Sequence, residues 1–221
     1  MQQGTRPFDF GLKVDSARFE QVAENGYQVN PSRYISEAWT LFRAHAAECV
    51  AYTLVLFLIT AVLSLFDMFG SLLLATVTTP LYAGFAVVAL KNRQGAGFVF
   101  SDLFGGFGYL LPLLLAGLMM WLLVTIGMFL LVLPGIYLAV AYIFTVPLIV
   151  DYRMEFWQAM ETSRKIITRN WFSLFGFVLL LAVINLGGAL VFGIGLLVTI
   201  PLTAFAGVMA YCDIVGEHER M

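Results

Sequence analysis

The chain has 221 residues, 61% of them hydrophobic and only 12% charged, with a formal net charge of −2. A soluble domain carries about 25% charged residues, so this chain cannot present a polar surface to water, and its solvent is lipid. The acidic balance argues against nucleic acid as a partner, and Cys49 and Cys212 give neither metal spacing nor a disulfide framework.

Residues 1–30 are polar and mixed in charge, and the start MQQGTRPFDFGLKVD lacks the apolar run of a cleaved signal peptide. Within them Asp15-Ser16 can cap a short helix, Ala17–Glu24, which Asn25-Gly26 ends. The segment reads either as a partly ordered tail or as a docking segment, for a partner or for the protein's own cytoplasmic face. Asn30-Pro31 starts the next helix, with Pro at the first helical position. Tyr34, Ala38, Leu41 and Phe42 share one face of it, and Arg33, Glu37, Thr40 and Arg43 point away. This is an amphipathic helix at a membrane surface.

A first span follows at about 47–66, a turn at Asp67–Gly70, and a second span at about 71–90 that contains Pro80. Lys91–Gly95 returns the chain to the surface, and Ser101 can cap a short segment, 102–107. The third span is about 109–131, Pro134-Gly135 is the natural turn, and the fourth span, 136–150, is short. The stretch Asp151–Trp171 is the well-charged segment of the second half and reads as a surface hinge between two membrane hairpins. A fifth span, 172–190, and a sixth ending near Cys212 complete the bundle, with the turn somewhere in 187–195. The expected fold is thus an all-α integral membrane protein of six transmembrane helices. They form three hairpins with amphipathic helices on the cytoplasmic side. The organisation is a tail (1–30), a transmembrane domain (31–213) and a second tail (214–221).

All 12 Lys and Arg fall in the N-terminal segment, the 91–93 turn, the 153–169 helix or the C-terminal tail. Six crossings put those regions on one side, and the positive-inside rule makes both termini cytoplasmic. A shift of 121 residues aligns Val77–Ala83 with Val198–Ala204, and the surface helix at 31–45 with the one at 154–170. The unit of surface helix, span, turn and Pro-Leu span therefore recurs as a parallel repeat. Val146-Pro147-Leu148 marks a degraded third copy. Pro80, Pro147 and Pro201 each free a carbonyl and bend their helix. The three bent helices either enclose a cavity or pack closed through Ala and Gly.

Candidate functional residues are few. No ionisable residue lies at mid-depth in a span, where function in a membrane usually shows. Glu48, near the cytoplasmic surface, pairs with Arg43 or snorkels. Asn185 is the clearest polar residue deep in a span and suits an interhelical hydrogen bond. Thr125, Thr145 and Thr199 can bond their own preceding carbonyls. On the central helix Phe156, Trp157, Met160, Ile167 and Trp171 form the apolar set, with Glu155, Gln158, Glu161, Thr162, Lys165 and Arg169 away from it. Glu161 and Lys165 make a favourable i,i+4 pair. Arg164, Lys165 and Arg169 suit anionic lipid headgroups, with Trp157 and Trp171 at the interface. His45 and His218 stand alone, and neither a catalytic set, a cofactor loop nor a metal constellation is legible.

Five stretches in order, PLYAGFAVVALKNRQG, DLFGGF, LPGIYLAVAYIFTVPLIVD, WQAMETSRKIITRNW and IGLLVTIPLTAFAGVMAYCDI, resemble bacterial multi-pass membrane proteins of the YciC-like kind. They are also similar to the membrane domain attached to some glycerophosphodiester phosphodiesterases. The resemblance covers about residues 31–215 and implies a six-helix domain in the bacterial inner membrane. The phosphodiesterase catalytic domain has no counterpart here, so no active-site residue carries over. The expected function is a non-enzymatic scaffold or accessory subunit of a membrane complex, without cofactor. Its expected partners are anionic membrane lipids and other membrane subunits, met through residues 1–30 and the surface helices. The alternative is a transporter or lipid-handling protein with a cavity among the Pro-bent helices.

Overall fold

In the computed structural model, residues 10–15 and 17–216 are described and the fold is all-helical. The first helix, α1 (Ala17–Asn25), opens where the Ala17 N–H donates to the Asp15 carboxylate at 3.1 Å; Ser16 lies outside the described residues. Pro31 starts α2 (Pro31–Ala44), whose buried residues Tyr34, Ala38, Leu41 and Phe42 are the expected apolar face. After His45 come α3 (Ala46–Leu63) and α4 (Asp67–Arg93), an antiparallel pair in which the Tyr52 hydroxyl donates to the Leu81 carbonyl at 2.8 Å. A 3-10 helix (Phe100–Tyr109) leads into α5 (Leu110–Leu130). Then follow α6 (Val132–Ala141), α7 (Thr145–Tyr152), α8 (Phe156–Arg169), α9 (Trp171–Leu190) and α10 (Leu196–Val215).

Five helical stretches among the described residues are long and apolar enough to cross a membrane: Ala46–Leu63, Phe100–Leu130, Val132–Tyr152, Trp171–Leu190 and Leu196–Val215. The second span expected from sequence lies inside α4, a 27-residue helix. At the centre is α10, which packs on α2, α3, α4 and α9. Its ring partners and neighbours, among them Phe85, Phe144 and Phe177, are fully or almost fully buried.

Two expectations are corrected. The turn of the central hairpin is the single residue Leu131, and Pro134-Gly135 lies inside the first turns of α6. The early corner is possible because Gly127 and Gly135 lie back to back: a Cβ on Gly127 would sit 3.0 Å from the Gly135 Cα. Pro134 costs nothing there, since an N–H in the first turn has no helical acceptor. The stretch expected as a fourth continuous span is interrupted between Ala141 and Thr145. Pro147 has no N–H for the Ile143 carbonyl and its ring crowds that group. Pro80 and Pro201, by contrast, sit inside continuous helices.

Candidate functional site

Among the described residues, ion pairs and hydrogen bonds of charged side chains tie distant parts of the chain together. Arg33 on α2 bonds Glu37 at 2.8 Å and Asp213 on α10 at 3.1 Å. Arg93, at the end of α4, bonds Glu37 at 3.0 Å. The Tyr34 hydroxyl donates to the other Asp213 oxygen at 2.6 Å. Burial pushes the Tyr34 phenol up to about 12, and its bond to Asp213 adds to the shift, so this hydroxyl remains a donor across the physiological range. Lys91 pairs with Asp102 at 2.7 Å, and Asp102 also accepts the Val99 N–H, which fixes the start of the 3-10 helix.

Beside this network lies α8, covered by the N-terminal segment. Leu12 pairs with the chain around Met154 as a parallel bridge: its N–H donates to the Arg153 carbonyl at 2.6 Å and its carbonyl accepts the Glu155 N–H at 3.0 Å. Val14 and the Gln158 amide exchange two hydrogen bonds, at 3.0 and 2.5 Å. Phe19 is buried edge-on against Tyr152. The Tyr27 hydroxyl donates to the Ile166 carbonyl at 2.9 Å, and Asn170 donates to the Tyr27 carbonyl at 3.0 Å. Residues 12–15 and 17–27 thus form a strap along α8.

With a cover on one side and α5, α6 and α7 on the other, α8 is buried on more than the expected face. Met160 and Ile167 are buried as expected, but so are Ala159, Thr162, Ser163 and Ile166. Trp157 is instead 52% exposed. Trp171 stacks on Phe175 and donates its Nε1–H to the Tyr137 carbonyl. Glu161 pairs with Arg164, at 2.8 and 2.6 Å, rather than with Lys165. That bond holds the Glu161 carboxyl below its ordinary value and raises the guanidinium. Arg164 and Lys165 line an open groove with Glu20, Glu24 and Thr168; Lys165 also borders a second one with Lys13, Trp157 and Glu161. Arg169 is exposed.

Sequence reading missed two polar sites. Ser163 is fully buried; its hydroxyl donates to the Ala141 carbonyl at 2.7 Å and accepts the Phe144 N–H at 3.2 Å, closing the backbone groups that the α6–α7 break leaves open. Asp151, expected at a surface hinge, is 2% exposed and accepts the Tyr211 hydroxyl at 2.9 Å. A signal was present in both cases: a serine facing a Pro-broken helix, and an acid inside the apolar run 145–152. The Asn185 amide donates to Thr203 at 3.0 Å, linking α9 to α10. Thr203 and Thr53 bond carbonyls four residues back. The buried hydroxyls of Thr145 and Thr199 do not, contrary to expectation. Among the described residues no group of three or more His, Cys, Asp or Glu could hold a metal. His45 packs edge-on against Phe98, and His218 lies outside the described residues. No protein-family model, curated protein or solved structure matches the chain.

Proposed function

We propose that the chain is a non-enzymatic integral membrane protein that serves as a scaffold or accessory subunit in a membrane complex. It resides in the bacterial inner membrane with both termini cytoplasmic. The observation that carries this reading is the built face at the charged end. A backbone bridge and the Gln158 amide join the strap to α8, and ion pairs join α2 to the ends of α4 and α10. Effort of that kind on a face with Trp157, Lys165 and Arg169 exposed suits the docking of a partner or of anionic headgroups. The even placement of Lys and Arg on that side supports its cytoplasmic orientation. The recurrence of a short helix followed by an apolar hairpin (α2 with α3–α4, α8 with α9–α10) supports the repeat. The first and third hairpins support the crossings expected of them. Affinity capture from mild detergent extracts tests the reading: a stoichiometric membrane partner, released when Trp157, Lys165 and Arg169 are replaced by Ala, supports it. Recovery of this chain alone counts against it.

A second reading, a transporter or lipid-handling protein, draws on the interruption between α6 and α7 and on the buried Asp151. Broken helices and buried acids are what such proteins use to hold a cargo. Purification with a stoichiometric lipid or solute that Asp151→Asn releases would favour it over the scaffold.

A further inference from the structure

Between the strap and α8 lies a groove whose charges the fold leaves uncommitted. Lys13 borders it from the strap, and Glu155, Trp157 and Lys165 border it from α8 and its N-cap. Lys13 stands between Leu12 and Val14, both hydrogen-bonded to residues 153–158, so its backbone is held against the start of α8. Among the described residues the cations engaged in ion pairs are Arg33, Lys91, Arg93 and Arg164. Lys13 and Lys165 join none of these pairs, and neither does Glu155. Glu161, which also lines the groove, is neutralised by Arg164 at 2.8 and 2.6 Å. Two ammonium groups and one carboxylate are left around a single concavity.

The floor supplies a further donor. Thr162 lines the groove and is only 6% exposed, yet its hydroxyl makes no hydrogen bond among the described residues. A threonine inside a helix commonly bonds the carbonyl four residues back, as Thr168 does with Arg164. Nor is the Thr162 hydroxyl sealed in, as those of Thr145 and Thr199 are; it keeps access to the groove. Its neighbour Gln158 offers a ligand nothing, because both ends of its amide are taken by Val14. Lys13, Thr162 and Lys165 are therefore three donors without acceptors around one opening, and a phosphate, with several acceptor oxygens, answers them. Glu155 and the half-exposed Trp157 ring make the opposite demand: a carboxylate beside an aromatic face suits an ammonium.

A ligand that carries a phosphodiester and an ammonium on a short link meets both demands. The groove has a volume of about 280 Å³, at the low end of small-molecule sites of ~300–1,000 Å³, so a headgroup fits and acyl chains lie outside. Lys165 comes shortly before Trp171, where α9 begins, a helix long and apolar enough to cross a membrane. The separation is about 9 Å of helix, and Trp157 is of the residue type that settles at headgroup level. We propose that the strap and α8 form a binding site for the headgroup of an ethanolamine phospholipid. Lys13, Lys165 and Thr162 hold its phosphate; Glu155 and Trp157 hold its ammonium. The site deepens the membrane reading above and rests on it. It also departs from the role expected of the α8 cations, since a purely anionic headgroup leaves Glu155 unanswered.

In the test, the full chain is purified in mild detergent and titrated with dioleoyl phosphatidylethanolamine, phosphatidylglycerol or phosphatidylcholine, and bound lipid is counted by native mass spectrometry. The expected result is one ethanolamine lipid per chain, held roughly tenfold more tightly than either other lipid, the contribution of one hydrogen bond between charged groups. Phosphatidylcholine falls behind because its quaternary ammonium has no N–H to donate to Glu155. Glu155→Gln should abolish the preference and leave phosphatidylglycerol binding unchanged. Lys13→Ala combined with Lys165→Ala should weaken both lipids. Thr162→Val should weaken them with no loss of thermal stability, since the hydroxyl has no partner within the fold. Either other lipid bound as tightly as the ethanolamine one, a preference that survives Glu155→Gln, or no bound lipid at all would overturn the proposal. So would displacement of the lipid by an equal concentration of free glycerophosphoethanolamine, because the ligand would then be a soluble one. Release of the chain from native membranes by an alkaline carbonate wash would instead sink the membrane reading on which the proposal rests.

Discussion

Replacing Gly84 by Ala tests the close contact between α4 and the 3-10 helix. A Cβ at position 84 would lie 1.7 Å from the Leu103 carbonyl oxygen, 2.7 Å from its carbon and 3.1 Å from the Tyr52 hydroxyl. Ordinary contact begins near 3.4 Å, so α4 and the 3-10 helix would have to part by more than a methyl group can be absorbed by side-chain rotation, because the obstacle is backbone. The same pair is pinned again at Gly106, where a Cβ would meet the Pro80 carbonyl at 2.0 Å. Overpacking costs about 1–3 kcal/mol. Ala regains up to about 1 kcal/mol of helix propensity over Gly. With a displacement this large the upper end of the overpacking range applies, and the net loss is about 2 kcal/mol. At about 2–4 °C per kcal/mol for a chain of this size, thermal unfolding of the purified protein in detergent should drop by roughly 4–8 °C. Gly207, inside α10, has nothing within 4 Å of such a Cβ; Gly207→Ala should therefore hold or raise the midpoint. A Gly84→Ala protein that melts at or above the parent would refute the contact between α4 and the 3-10 helix.

Ser163→Ala leaves the Ala141 carbonyl and the Phe144 N–H without their shared partner in a dry site, at about 1–3 kcal/mol; hydrogen exchange at 142–145 should speed up while α9 and α10 are unaffected. Because Arg164 holds the folded Glu161 carboxyl below its ordinary value, the pair's stabilisation is complete above the unfolded pKa of about 4.3 and fades as pH falls through the lower folded value. Side chains 38–39% exposed limit it to about 0.2–1 kcal/mol, and unfolding scans between those pH limits should lose that slope in Glu161→Gln. Leu12→Pro removes the N–H that donates to Arg153, so limited proteolysis should cut residues 10–30 faster, and an unchanged rate would mean that the bridge does not hold the strap.

The apolar runs were enough to read helices from the sequence, since a lipid-solvated chain has little else to form. The face of α2 was legible for the same reason: Tyr34, Ala38, Leu41 and Phe42 repeat at helical spacing and are the residues buried. What the sequence hid depends on partners far along the chain. Pro147 carries the same local signal as Pro80 and Pro201, yet only there does the helix break, and there Ser163 of α8 supplies the replacement hydrogen bonds. Asp151 resembled a surface charge because its hydroxyl partner, Tyr211, is 60 residues away. The strap was left between two readings because a bridge such as Leu12 to Met154 leaves no periodic trace. The exposed Trp157 was assigned to the apolar set by spacing alone, while Thr162 and Ser163 are buried, Ser163 against the break between α6 and α7.

Sidedness is the claim on which the rest stands, and one labelling experiment reaches it. Lys13→Cys, Lys91→Cys and Lys165→Cys, each in a background without Cys49 and Cys212, are exposed to an impermeant maleimide in inside-out and in right-side-out inner-membrane vesicles. The account predicts labelling of all three in the inside-out vesicles, none in the others, and retention of the chain in the membrane after an alkaline carbonate wash. Labelling of any of the three from the outer side, or release of the chain by the wash, would contradict it.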